Sequence, residues 1–141
     1  MSLTHAVAAV LCAAMFNIAS ARPAPVCAPI EVREVSVAHA VEGRHSVGEA
    51  AVFEPGDTVH ALAVVKNPGA KAPIEMVWIR DGVVRSRVNL SVGTTKGWRT
   101  WSKHTLRGGD VGAWTVEVRA EDGTLLEATH FEVARTLALA P

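Results

Sequence analysis

Within residues 78–114 a chain that lacks tyrosine places four tryptophans, and two of them share the segment Gly97-Trp98-Arg99-Thr100-Trp101-Ser102. An indole offers an apolar face for stacking, while Arg99 and Lys103 offer donors for hydroxyls or carboxylates. That set suits recognition of a saccharide or an extended peptide. Side chains alternate along a strand, so residues three apart point in opposite directions. In a regular strand over 98–105, Trp98 and Trp101 therefore cannot share one core. One face carries Trp98, Thr100, Ser102, His104 and Leu106 and is the better core face. The other carries Arg99, Trp101, Lys103 and Thr105 and faces solvent. Two readings need no ligand: a cation–π contact of Arg99 or Lys103 on Trp101, of ~0.5–2 kcal/mol, or a bulge that turns both rings inward. The candidate ligand-binding residues are Arg99, Trp101, Lys103 and Trp98.

Other chemistry finds little support. No Gly-x-Ser-x-Gly or comparable elbow is present to strain a nucleophile. Cys27 lies between Pro25 and Pro29, a poor place to fix a thiolate. Asp57, Asp81, Asp110 and Asp122 sit in Gly-rich turns, where local backbone bonding accounts for them. His39, His45, His60, His104 and His130 show no short ligand spacing. A blue-copper site would want a Cys and a His close together, and Cys27 has no such neighbour. No catalytic residue, metal ligand or cofactor is assigned; catalysis and strand histidines converging on a metal stay as minor alternatives.

The elements that must position the tryptophans come after an N-terminal leader. Residues 6–18 form an apolar run too short for the ~20 residues of a spanning helix, and Ala19-Ser20-Ala21 supplies a small-x-small cleavage site. The reading is a signal peptide over 1–21, a Pro-rich leader over 22–29, a β domain over 30–134 and a tail over 135–141. An uncleaved N-terminal anchor is the competing reading, because the n-region lacks Lys and Arg. Cleavage would leave Cys27 as the only thiol, with no internal disulfide. The 14 basic and 14 acidic residues balance, which gives no electrostatic case for nucleic acid or an anionic membrane. The expected location is periplasmic or secreted.

After the leader the pattern is strand upon strand, with turn signals every eight to twelve residues. Residues 30–41 change parity between Val32 and Val35, which suggests a bulge. Residues 51–53 run into Glu54-Pro55-Gly56-Asp57. Further strands are read at 58–66, 74–80, 83–92, 98–106, 113–120 and 124–133, with Asp-Gly turns at 81–82 and 122–123. No helical apolar period occurs after the leader. The fold class is all-β: a single immunoglobulin-like antiparallel β-sandwich of about seven strands, without the Cys–Trp–Cys signature of true immunoglobulin domains.

The first Asp-Gly hairpin allows two registers. A two-residue turn pairs Arg80 with Val83 and turns Glu75 into the core. A three-residue loop pairs Ile79 with Val83 and puts Ile74, Met76, Trp78, Val84, Val88 and Leu90 on one face, with Glu75 opposite Arg87 on the other. Burying an unpaired carboxylate costs several kcal/mol, so the second register is expected. Trp78 and Trp114 are then core residues, and Trp114, Val116 and Val118 alternate with Thr115, Glu117 and Arg119.

Phe53 with Gly56-Asp57, Trp78 with Asp81-Gly82, Trp98-Arg99-Thr100-Trp101-Ser102, Gly112-x-Trp114-x-Val116-x-Val118 and Asp122-Gly123 before Phe131-x-Val133 together form a pattern. Over 53–133 this pattern resembles the bacterial family known as domain of unknown function 2914. Met76 stands where that family's pattern has a His. The resemblance implies an envelope-associated β domain, with Phe53 and Phe131 joining Trp78 and Trp114 as structural residues, and implies no activity. The expected function is a non-catalytic extracytoplasmic binding module, with an envelope protein as partner. The alternative is cell-wall glycan binding through Trp101 and Arg99. An edge strand accepting an extended peptide is a third route.

Overall fold

The computed structural model describes residues 30–136; the signal segment, the leader with Cys27, and residues 137–141 lie outside the described residues. Among the described residues nine strands make two facing sheets. In chain order they are β1 (Glu31–Glu42), β2 (His45–Glu49), β3 (Val52–Phe53), β4 (Thr58–Asn67), β5 (Ala72–Arg80), β6 (Val83–Val92), β7 (Thr95–Thr105), β8 (Gly112–Ala120) and β9 (Leu125–Val133). One sheet has the order β2-β1-β4-β7 and the other β3-β9-β8-β5-β6. This is an all-β sandwich.

Alternation builds the core. Val59, Ala61, Ala63 and Val65 of β4 face Ile74, Met76 and Trp78 of β5 and Trp114, Val116 and Val118 of β8 across the gap. Phe53 and Phe131 close the same cluster, their rings edge to face at 5.4 Å. Trp78 and Trp114 are buried, as their alternation required. A polar tie joins the sheets: the Trp78 indole N–H donates to Ser102 Oγ on β7 at 3.1 Å, and that hydroxyl donates to Met76 Sδ at 3.2 Å.

Two strands exceed the expected seven. β2 comes after a two-residue turn in which Gly43 and Arg44 both take positive φ, the geometry that matches strand twist in tight hairpins. β3 is two residues long and runs parallel to β9, so the sandwich is not wholly antiparallel. The expected bulge in β1 is present between Val32 and Glu34.

The register of the β5–β6 hairpin differs from both expected forms. Asp81 and Gly82 make a two-residue turn that pairs Arg80 with Val83 and Ile79 with Val84. A bulge then shifts the ladder, so that Trp78 pairs with Ser86 and Met76 with Val88. The extra residue restores the parity that the tight turn alone would have broken. Glu75 stays off the core and meets Arg87 at 2.9 Å, while Val84, expected inside, is exposed.

The β1–β2 hairpin bends back over the outer face of its sheet. Ser36 Oγ and Ser46 Oγ are 2.7 Å apart, although Ser46 is the ladder partner of Val41, five residues along β1. A straight strand would separate them by ~16 Å. The fold-back covers Leu62, the ladder partner of Ser36, which is 1% exposed yet outside the inter-sheet cluster.

Candidate functional site

β7 pairs with β4 alone and β6 with β5 alone, so each is the outer strand of its sheet. Gly93-Thr94 joins them, and the two strands run in opposite directions along the open side of the sandwich. This edge positions the candidate residues.

Strand β7 has the expected parity. Thr100, Ser102 and Leu106 are buried, while Trp101 and Lys103 on the other face are exposed. Trp101 is 40% exposed and stands beside its ladder partner Leu62 on the outer face. Trp98 departs from expectation: it belongs to the core face but is 41% exposed. Its place explains this, since β7 begins at the rim of the sheet and the ring lies against Gly93 rather than inside the core. A Cβ at Gly93 would come within 3.2 Å of the indole, so a larger residue there would push the ring by a few tenths of an ångström.

The strand edge separates two indoles and joins two cavities. The first, of about 330 Å³, is bordered by Trp98, Arg99, Thr100 and Trp101 of β7, by Leu90 and Ser91 of β6, and by Arg44. Sequence reasoning missed Arg44. It arrives through the folded-back hairpin, whose two-residue turn is Gly43-Arg44.

The second cavity, of about 460 Å³, lies farther along the same edge between Arg85 and the stretch Lys103, His104, Thr105, with Arg107 and Asp110. Lys103 therefore borders this second cavity, not the first. The Asp110 side chain is buried; it accepts the Arg107 backbone N–H at 2.7 Å and meets Arg80 at 3.4 Å and Arg85 at 3.6 Å. Its backbone carbonyl accepts the Trp114 indole N–H at 2.8 Å. Local turn bonding thus accounts for only part of Asp110. His104 stacks on Trp78 at 5.5 Å and tilts against Trp114 at 5.1 Å. Burial pushes its pKa below the usual imidazole value; Asp110 opposes that shift, and Arg85 and Arg107 add to it.

Charge on this edge is one-sided. Residues 83–107 hold six Lys and Arg and no Asp or Glu, within a chain whose formal charge is zero. Arg85 pairs with Asp110 and Arg87 with Glu75. Among the described residues Lys96, Arg99, Lys103 and Arg107 make no ion pair. Chain-level neutrality concealed this.

Comparison with known proteins gives the fold and a family. No curated protein matches the chain. A solved structure similar to it is the Pseudomonas fluorescens alkylpurine DNA glycosylase AlkC bound to DNA containing an abasic site analog, at 14% identity and a TM-score of 0.51. The match covers 76% of this chain and 30% of that one, and at such identity the likeness speaks for the fold alone. Strands β5 to β9, which carry all four tryptophans and the open edge, fall wholly within the match to a family profile described as "Protein of unknown function (DUF2914)". Residues 71–133 of this chain therefore belong to the DUF2914 family.

Proposed function

We propose that this domain is an extracytoplasmic module that holds a partner at the β6–β7 edge, without turnover, and that the partner is a protein of the cell envelope. One observation carries the reading. Two indoles, each about 40% exposed, flank an outer strand that no other strand covers among the described residues. Large apolar groups on a surface cost hydration unless something covers them, and Trp and Arg are the residues most enriched at binding hot spots. The N-terminal residues that read as a signal peptide support the compartment.

A photo-cross-linking residue at position 101, in cells, tests the reading. A defined adduct is expected there and not from a control at Leu125, which is exposed on β9 at the other side of the molecule. Equal adducts at both positions, or none at 101, would refute it. Glycan binding is the second reading, favoured by the cavity that both indoles and two arginines border. It requires cell-wall fragments to quench tryptophan fluorescence, and Trp101→Ala to abolish the response while the fold survives.

A further inference from the structure

We infer that the occupant of this edge is an extended acidic polypeptide that adds to β7 as a further strand, with an acidic residue, any residue, an apolar residue, any residue and an acidic residue in succession. The inference rests on the reading that the edge binds, and it names the partner's chemistry. Three observations carry it. β7 is an eleven-residue strand whose ladder is continuous with β4 from Thr58–Thr105 to Val65–Trp98 and open on the other side. An open strand offers a row of backbone donors and acceptors, and strand addition is how extended peptides use such a row.

The outer face of β7 then presents Arg99, Trp101 and Lys103 at successive alternate positions. Residues directly opposite each other in a strand pair share a face, so the cation–indole–cation order reads out as acid–apolar–acid on the partner. Third, the whole edge is cationic. Lys96, Arg99, Lys103 and Arg107 make no ion pair among the described residues, and residues 83–107 contain no acid.

Lysines alone on an outer strand are a common device against self-association. Two half-exposed indoles beside them are not, because they add the apolar surface that such a device removes. A second copy of this chain is a poor occupant, since pairing β7 with β7 would set Lys96, Arg99 and Lys103 against the same cations.

The test uses isothermal titration of the protein with a peptide containing Glu-Thr-Val-Thr-Glu between threonines. Controls are the same composition with the two glutamates adjacent, and the same peptide N-methylated at alternate amides. Binding is expected for the Glu-Thr-Val-Thr-Glu peptide alone, because adjacent side chains face opposite ways and methylation removes the donors. Lys103→Glu should weaken binding ~5–10-fold, and a peptide carrying Lys for one Glu should bind that variant better than it binds wild type. Raising ionic strength from ~0.1 to ~1 M, which shortens the Debye length from ~10 to ~3 Å, should weaken it too.

Equal binding of the N-methylated peptide would overturn strand addition. Equal binding of the adjacent-glutamate peptide would overturn the register. If a polyuronate binds through Trp101 and no peptide does, the polypeptide inference falls while the binding edge stands. If neither binds, the inference falls, and the cross-linking at position 101 decides the edge separately. Concentration-dependent dimerisation through β7 would also overturn it.

Discussion

Ser102→Ala probes the polar tie between the sheets. The Trp78 indole is fully buried, and its N–H reaches Ser102 Oγ at 3.1 Å across the sandwich gap. Removing that hydroxyl leaves an indole donor with no partner, and Met76 Sδ loses its donor as well. A buried donor left unpaired costs ~1–3 kcal/mol, whereas the weak contact to sulfur adds little. With Ser102 only 8% exposed and the indole fully buried, the expected cost is about 2 kcal/mol. Urea unfolding monitored by far-UV circular dichroism measures it; with a slope of ~2 kcal/mol/M the midpoint should fall by ~1 M. The thermal midpoint of a domain this size should drop by ~4–8 °C per kcal/mol. Trp78→Phe removes the donor itself, at its own packing cost. In that background Ser102→Ala should cost a few tenths of a kcal/mol, giving a coupling of ~1–2 kcal/mol. A Ser102→Ala cost below ~0.5 kcal/mol, or the same cost in both backgrounds, would refute the tie.

Three further predictions come from the same packing. Trp114→Ala should destabilise by ~3–5 kcal/mol in denaturant titration, since it empties a core site and frees the Asp110 carbonyl, whereas Trp101→Ala should stay within ~1 kcal/mol of wild type. Gly112→Ala should cost ~1–3 kcal/mol by thermal unfolding, because its φ of 143° suits glycine and a Cβ there would meet Asp81 Oδ2 at 2.6 Å. The depressed pKa of His104 makes the unfolded chain bind the proton more readily, so stability should fall as pH drops below 6.5 toward the folded-state pKa. His104→Gln should flatten that slope, and an unchanged slope would refute the assignment.

The parts legible in sequence were those fixed by local rules. Alternation placed Trp78 and Trp114 in the core and set the two faces of β7, because a strand's parity needs no knowledge of its neighbours; Phe53 and Phe131 entered through the family pattern. Asp-Gly located both turns. The register after Asp81-Gly82 was harder: avoiding a buried Glu75 was the right constraint, but a tight turn with a bulge beyond it satisfies that constraint as well as a longer loop. Trp98 shows the limit of parity. Its face was readable, but its exposure depends on how far β7 begins from the facing sheet.

Long-range placement was out of reach. Arg44 borders the indole cavity only because the β1–β2 hairpin folds back, and nothing near position 44 encodes that bend. The ion pairs of Asp110 with Arg80 and Arg85 join the β7–β8 loop to the β5–β6 hairpin, segments some way apart in sequence. The cationic edge was present in the residues of 83–107 and hidden by a sum over the whole chain.

The β7 edge as a recognition surface is tested most directly by ¹H–¹⁵N spectra of the protein during titration with the acid–apolar–acid peptide. The indole N–H signals of Trp98 and Trp101 and the backbone amides of β7 should shift, while the indoles of Trp78 and Trp114, bonded to Ser102 and Asp110, should not. Shifts centred on β3 and β9, or on the Trp78 and Trp114 indoles with Trp98 and Trp101 silent, would contradict the account.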